Sequence, residues 1–239
     1  MTYNKDSFKE DCKKLNIDLT DDQLDQFQRY YELLVEWNSF MNLTSITDYQ
    51  EVLKKHFLDS LAIVKVIDIQ KINRMIDIGT GAGFPGIPIK IAFPHLEVVL
   101  LDSLGKRVKF LNHVIEELSL SNIVGMHGRA EDFAKNSDYR EQFDLAVSRA
   151  VANLSSLCEY CIPYTKLHGR FISYKSGKIE EELQTAEHAI SLLGGKTENV
   201  CRFSLQDIGE RSLVVIEKTQ QTPKKYPRKA GTPSREPLT

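Results

Sequence analysis

The chain has 239 residues, 41% of them apolar and 27% charged, with a formal net charge of −2 at pH 7. That suffices for one substantial domain with a modest accessory region, in a globular protein whose overall charge gives no sign of nucleic acid. No apolar run approaches the ~18–20 residues that cross a bilayer, and residues 1–7 lack the basic-then-apolar pattern of a secretory leader, so a cytoplasmic location without membrane contact is expected.

The first 78 residues contain neither glycine nor proline, a compositional boundary that predicts a helical segment. Thr20-Asp21-Asp22-Gln23 reads as a capping box. After it Leu24, Phe27, Tyr31, Leu34 and Met41 recur at helical spacing, and Tyr30 and Trp37 widen the stripe. A second helix is predicted over 48–66. Both stripes suit packing on a domain rather than on a membrane. His56 and Asp59, one turn apart, read as a local pair that ties these helices to the layer beneath.

From Arg74 short apolar runs alternate with helix-like stretches. Strands are predicted over 75–78, 98–102, 122–127, 143–147 and 167–174, with helices over 87–93, 106–118, 153–163 and 179–193 between them. Strands over 199–203 and 213–218 follow with no helix-length segment between. Alternation closed by such a pair predicts an α/β fold, a largely parallel doubly wound sheet ending in an antiparallel hairpin. Four cysteines are too few and too irregular for a disulfide framework. Cys158-Glu-Tyr-Cys161 has no second ligand pair to make a zinc site and falls inside a predicted helix, so it reads as packed side chains and no metal is expected. Four of the eight prolines lie between Pro223 and Pro237, and the stretch from Lys218 onward carries a charge of +5 against −7 in the residues before it. This reads as a mobile basic tail that meets a polyanion.

The chemistry-bearing stretch is Asp77-Ile-Gly-Thr-Gly-Ala-Gly-Phe-Pro-Gly86, between a strand and a helix. Such a turn lets the backbone approach a ligand and points N–H groups above the sheet edge, as in a nucleotide or nucleoside site. Gly81-x-Gly83-x-x-Gly86 matches the dinucleotide fingerprint, and Asp102 stands at the right distance to hold ribose hydroxyls, so an NAD-dependent oxidoreductase is one reading. Three details pull away from it. Asp77 puts a carboxylate where a pyrophosphate would be repelled and a sulfonium with an ammonium attracted. Phe84-Pro85 forms an apolar lip, and Gly128-Arg-Ala-Glu131 follows the third strand where an adenine pocket is expected. S-adenosylmethionine fits all three. A Walker site lacks its Gly-Lys-Ser/Thr, and a non-catalytic RNA-binding protein would have no use for the intact acids of the loop.

Further residues carry a resemblance. Trp37-Asn38 with Asn42-Leu43-Thr44, His56-Phe-Leu-Asp-Ser-Leu61, the glycine loop through Pro88, and Leu101-Asp-Ser with Lys106-Arg107 form its first part. Gly128-Arg-Ala-Glu131, Ser148-Arg-Ala150 and Tyr226-Pro-Arg-Lys-Ala-Gly-Thr-Pro233 complete it. Together, from Trp37 to Leu238, the chain resembles the bacterial ribosomal RNA small subunit methyltransferase G family, also called glucose-inhibited division protein B. Arg235, where a Lys is common, is the one departure noticed. The resemblance implies a Rossmann-like methyltransferase domain over 74–218, behind a helical layer over 1–73 and ahead of a basic, proline-rich tail over 219–239. It implies methyl transfer from S-adenosylmethionine to N7 of a guanine in 16S rRNA, free or in the small ribosomal subunit; a monomer is expected. It also implies cofactor contacts at Gly79, Phe84, Ala130, Glu131 and Arg149. In physical terms Gly79 and Gly81 admit the amino-acid part, Asp77 favours its positive charges, and Asp102 accepts from the ribose. Lys224, Lys225, Arg228 and Lys229 would neutralise phosphates and Tyr226 would stack on a base. Guanine N7 bears a lone pair and no proton, so no general base is assigned. On this reading, removing residues 223–239 leaves cofactor binding intact and lowers transfer to RNA.

Overall fold

The computed structural model describes residues 5–149, 152–205 and 209–239. Helix α1 (Asp6–Lys14) leads into α2 (Asp21–Met41), whose first turn is closed by both hydrogen bonds of the expected capping box, Thr20 N–H to Gln23 Oε1 (2.9 Å) and Gln23 N–H to Thr20 Oγ1 (3.2 Å). α2 stops at Asn42, which takes the left-handed conformation at φ 50°. The helix expected over 48–66 is a chain of pieces. Asp48 caps α3 (Tyr49–Val52), a π-helical turn (Leu53–Leu58) follows, and α4 (Asp59–Leu61) runs into a 3₁₀ turn (Ala62–Lys65). A widened π turn re-aims the side chains within it and just after it, here His56 and Asp59.

A seven-stranded sheet has the order β3-β2-β1-β4-β5-β7-β6. The strands are β1 (Arg74–Ile78), β2 (Glu97–Asp102), β3 (Ile123–His127), β4 (Phe143–Arg149), β5 (Thr165–Ser176), β6 (Gly195–Leu205) and β7 (Gly209–Lys218). All neighbours through β5 are parallel, and β7 is antiparallel to both β5 and β6. The order reverses between β1 and β4, so the carboxyl ends of these strands flank a crevice. Alternate residues face opposite layers. Met75, Val98, Leu100, Leu145, Val147 and Ile172 join the core that contains α1 to α4 with α5 (Gly86–Ala92) and α6 (Gly105–Glu117). Ile76, Ile78, Leu101, Ala146 and Phe171 face α7 (Ala130–Phe133), α8 (Leu154–Cys161) and α9 (Glu180–Leu192). Strands covered on both faces read as the continuous apolar runs seen in the sequence.

The segment after β7 is seated rather than loose. Arg140 donates to the carbonyls of Thr222 (2.8 Å) and Tyr226 (2.9 Å), and Thr222 N–H donates to Glu141 (2.8 Å). Tyr226 and Leu238 pack in the α8–α9 core, and the one helical turn here is α10 (Thr232–Arg235). Among the described residues, no helix is long and apolar enough to cross a membrane.

Candidate active site

At the end of β1 the chain turns sharply through Gly79 (φ 69°), Gly81 (φ 64°) and Gly83 (φ 99°). Asp77, fully buried, organises this turn. Its Oδ2 accepts from Thr80 Oγ1 (2.7 Å) and from Gly86 N–H (2.8 Å) at the start of α5, while Oδ1 has no partner. Burial pushes its carboxyl up to about 7, against the pull of these two hydrogen bonds and of Arg149. A Cβ at Gly86 would stand 2.3 Å from Leu100 Cδ2, whereas one at Gly81 would meet nothing within 4 Å. The first glycine therefore permits packing and the second leaves the backbone open to the crevice. Asp102, at the end of β2, accepts from Gly81 N–H (2.9 Å) and Leu104 N–H (2.9 Å), which fixes the far side of the turn. From α2, Tyr30 donates its hydroxyl to the Ala82 carbonyl.

Two adjoining cavities open here and share Gly79 and Ser103 as lining residues. The larger, about 440 Å³, is walled by Gly81, Phe84, Asp102, Arg107, Arg149 and the helical layer's Thr44 and His56. The smaller, about 170 Å³, lies between Ile78, Gly128, Ala130, Glu131 and Tyr160. Together they run from the glycine turn past the end of β2 to α7. The site residues expected from Asp77 to Arg149 are thus gathered at one sheet edge, with Asp77 just behind the turn.

Arg149 closes the other end. Its guanidinium lies 4.9 Å from the Phe84 ring centroid, pairs with Asp59 Oδ2 (2.9 Å) and donates to His56 Nδ1 (3.3 Å). Asp59, 4% exposed, takes Arg211 from β7 on its other oxygen (2.9 Å). Burial, then the charge of Arg149, depresses the His56 ring to about 3. The ring is therefore neutral, accepting at Nδ1 and donating from Nε2 to Thr44 Oγ1 (2.9 Å). It stacks on Phe84 with centroids 4.5 Å apart. His56 and Asp59 do tie the helices to the sheet, but each does so through Arg149 rather than through the other. Sequence reasoning passed over them, with Thr44, Tyr160 and Arg211, as site residues; the His56-to-Leu61 motif was the available signal.

The tail differs from expectation at two positions. Tyr226 is 7% exposed and cannot offer its ring to a base. Arg228 binds both oxygens of Glu159, itself 1% exposed, at 2.7–3.1 Å, because a buried carboxylate needs a charged partner. Lys224, Lys225 and Lys229 remain exposed. Cys158 and Cys161 are buried free thiols whose pKa values burial raises, in keeping with a packing role.

A match to the family described as rRNA small subunit methyltransferase G covers residues 23–214. Relatives named ribosomal RNA small subunit methyltransferase G are 56% identical in Lachnoclostridium phytofermentans, over 97% of this chain and 96% of theirs, and 52% identical in Staphylococcus aureus, over 96% of both. The chain belongs to this methyltransferase family. Solved structures similar in fold include an O-methyltransferase from Bacillus cereus in complex with SAH, at TM-score 0.57 and 15% identity over 80% of this chain and 91% of that one. P. horikoshii TYW2 in complex with MeSAdo gives TM-score 0.53 at 13% identity, over 68% of this chain and 62% of that one. The oxidoreductase reading of the glycine turn gains no support from the family, whose members are methyltransferases by name.

Proposed function

We propose that the chain transfers a methyl group from S-adenosylmethionine to N7 of a guanine in 16S rRNA. The observation that carries this is full-length identity of about half to relatives named for small subunit rRNA methylation, joined to a crevice whose groups suit the cofactor. The fit rests on three features. Gly81 leaves open space above its Cα, the unpaired Oδ1 of Asp77 supplies negative potential beneath the turn, and the donors and acceptors around Asp102 and Glu131 suit a nucleoside. The acid at Asp77 favours a cationic ligand over a pyrophosphate.

Gly79, Gly81, Phe84 and Arg149 would hold the methionine part, Asp102 the ribose, and Ala130 with Glu131 the adenine. When bound, S-adenosylmethionine supplies an electrophilic methyl on a positively charged sulfur. The chain's task is alignment. Guanine N7 has an in-plane lone pair and no proton, so attack needs no base. His56 is held neutral and hydrogen-bonded at both nitrogens, which suits a wall better than a proton carrier. Phe84, Thr44 and His56 wall the larger cavity, and Arg149, which also lines it, stands where it can meet a carboxylate or an RNA phosphate. Lys224, Lys225 and Lys229 add phosphate contacts that weaken with salt.

Methylation of 16S rRNA and of isolated small subunits with labelled cofactor, followed by borohydride–aniline cleavage at 7-methylguanine, tests the proposal. Label that resists cleavage would refute N7 as the acceptor, and absence of label on both substrates would refute the reaction.

A further inference from the structure

Resting on the cofactor reading above, the geometry points to a second role for the tail. We propose that residues 222–235 form a strap that braces the adenosine pocket, so that the seating of the strap sets the affinity of that pocket. Two pocket walls are involved, Glu131 on α7 and Tyr160 on α8. α7 has four residues, too few to hold a helix by itself, so its placement depends on bonds from outside. Tyr164 Oη donates to the Ala130 carbonyl (2.6 Å), and Gly231 N–H of the strap donates to Glu131 Oε1 (2.7 Å). Arg140 joins the two by donating to Ala134 O (3.1 Å), just past α7, and to Tyr226 O (2.9 Å).

The α8 wall is held in the same way. Glu159, next to Tyr160, receives the backbone N–H of Arg228 (2.7 Å) as well as its guanidinium, and Ser156 Oγ donates to Pro233 O (2.7 Å). Neither Arg228 nor Ser156 lines the pocket, so their effect on binding would pass through the strap. On this proposal removal of the tail weakens cofactor binding, where the sequence alone led to the expectation that binding stays intact.

Calorimetry with S-adenosylhomocysteine on the full chain, Arg228→Gln, Arg228→Lys and Ser156→Ala tests this, with thermal unfolding to confirm that each variant is folded. The expected result is roughly tenfold weaker binding for Arg228→Gln, within the usual range of coupling between linked sites, with partial recovery for Arg228→Lys and a smaller loss of about threefold for Ser156→Ala, which removes one neutral hydrogen bond. By the same linkage, saturating S-adenosylhomocysteine should slow tryptic cleavage of the wild-type chain after Lys224, Lys225 and Lys229. A folded Arg228→Gln that binds like wild type, or cleavage that ignores the ligand, overturns the strap. If Arg228→Gln does not fold, Ser156→Ala and the cleavage rates decide. No binding by the wild type would remove the cofactor reading and the strap with it, an outcome distinct from wild-type binding that the variants share.

Discussion

Asp77→Asn separates what the fold wants from what the ligand wants. Burial raises the Asp77 carboxyl from 3.8 to about 7, so holding it ionised in the folded chain costs roughly 4 kcal/mol at about 1.4 kcal/mol per pH unit. The sign follows from proton counts. Between pH 4 and pH 7 the folded state keeps a proton that the unfolded state has lost, so this group's contribution to stability falls as pH rises through that window and levels above it. Asparagine has no such slope. Its amide nitrogen would replace the unpaired Oδ1 and adds a constant penalty of about 1–3 kcal/mol for a buried unpaired donor, which is the same at every pH. The stability of the variant relative to wild type should therefore rise by about 4 kcal/mol from pH 4 to pH 8, whatever its offset. Urea unfolding of both proteins at four pH values measures this. Binding should move the other way, with S-adenosylmethionine affinity of the wild type strengthening from pH 6 to 8 as Asp77 ionises, and the variant weak and flat. Parallel stability profiles, or equal affinity of the two proteins, would refute the argument.

Gly81→Ala should cost about 1–2 kcal/mol for a left-handed residue yet abolish most cofactor binding, because the added methyl points into open crevice. Gly86→Ala should cost about 1–3 kcal/mol through overpacking against Leu100 and Asp77, and calorimetry with chemical denaturation on both variants would show whether binding and stability separate. Asp59→Ala should lower stability by about 3 kcal/mol by leaving Arg149 and Arg211 half-buried without their shared carboxylate; a loss below 1 kcal/mol in urea unfolding would mean solvent reaches both arginines freely. At pH 8 iodoacetamide should label Cys201 in the native protein and leave Cys12, Cys158 and Cys161 until it unfolds, since burial raises those three thiols, Cys12 to about 12. Mass spectrometry of the labelled chain reads the order directly.

The sheet was legible because its signals are local. Each buried strand is a short apolar run, each crossover has a helical period, and the lack of a helix between β6 and β7 marks the hairpin where the parallel order ends. The glycine turn was legible for the same reason, since left-handed φ values in close succession at Gly79, Gly81 and Gly83 favour glycine at each position. Composition misled at the tail. Proline and basic residues are rightly read as unable to join a sheet, but they do not forbid an irregular segment whose polar groups find partners in the body. Those partners, Glu131, Arg140 and Glu159, lie 69 to 100 residues away, where no periodicity connects them.

The same limit hid the hub at Arg149. Its partner Asp59 lies 90 residues earlier, and Arg211, the second partner of Asp59, 152 residues later than that carboxylate. A turn of π-helix at Leu53–Leu58 is what brings Asp59 and His56 to the sheet edge together, and nothing in the helical stripe announces it. Once they are placed, the division of labour is physical. The sheet carries the turn that receives the ligand, while the helical layer neutralises Arg149, packs Phe84 and closes one end of the crevice. The strap braces the other end at Glu131. A site held from both sides in this way suits the transfer proposed above, in which keeping three atoms in line would replace the work of a catalytic acid or base.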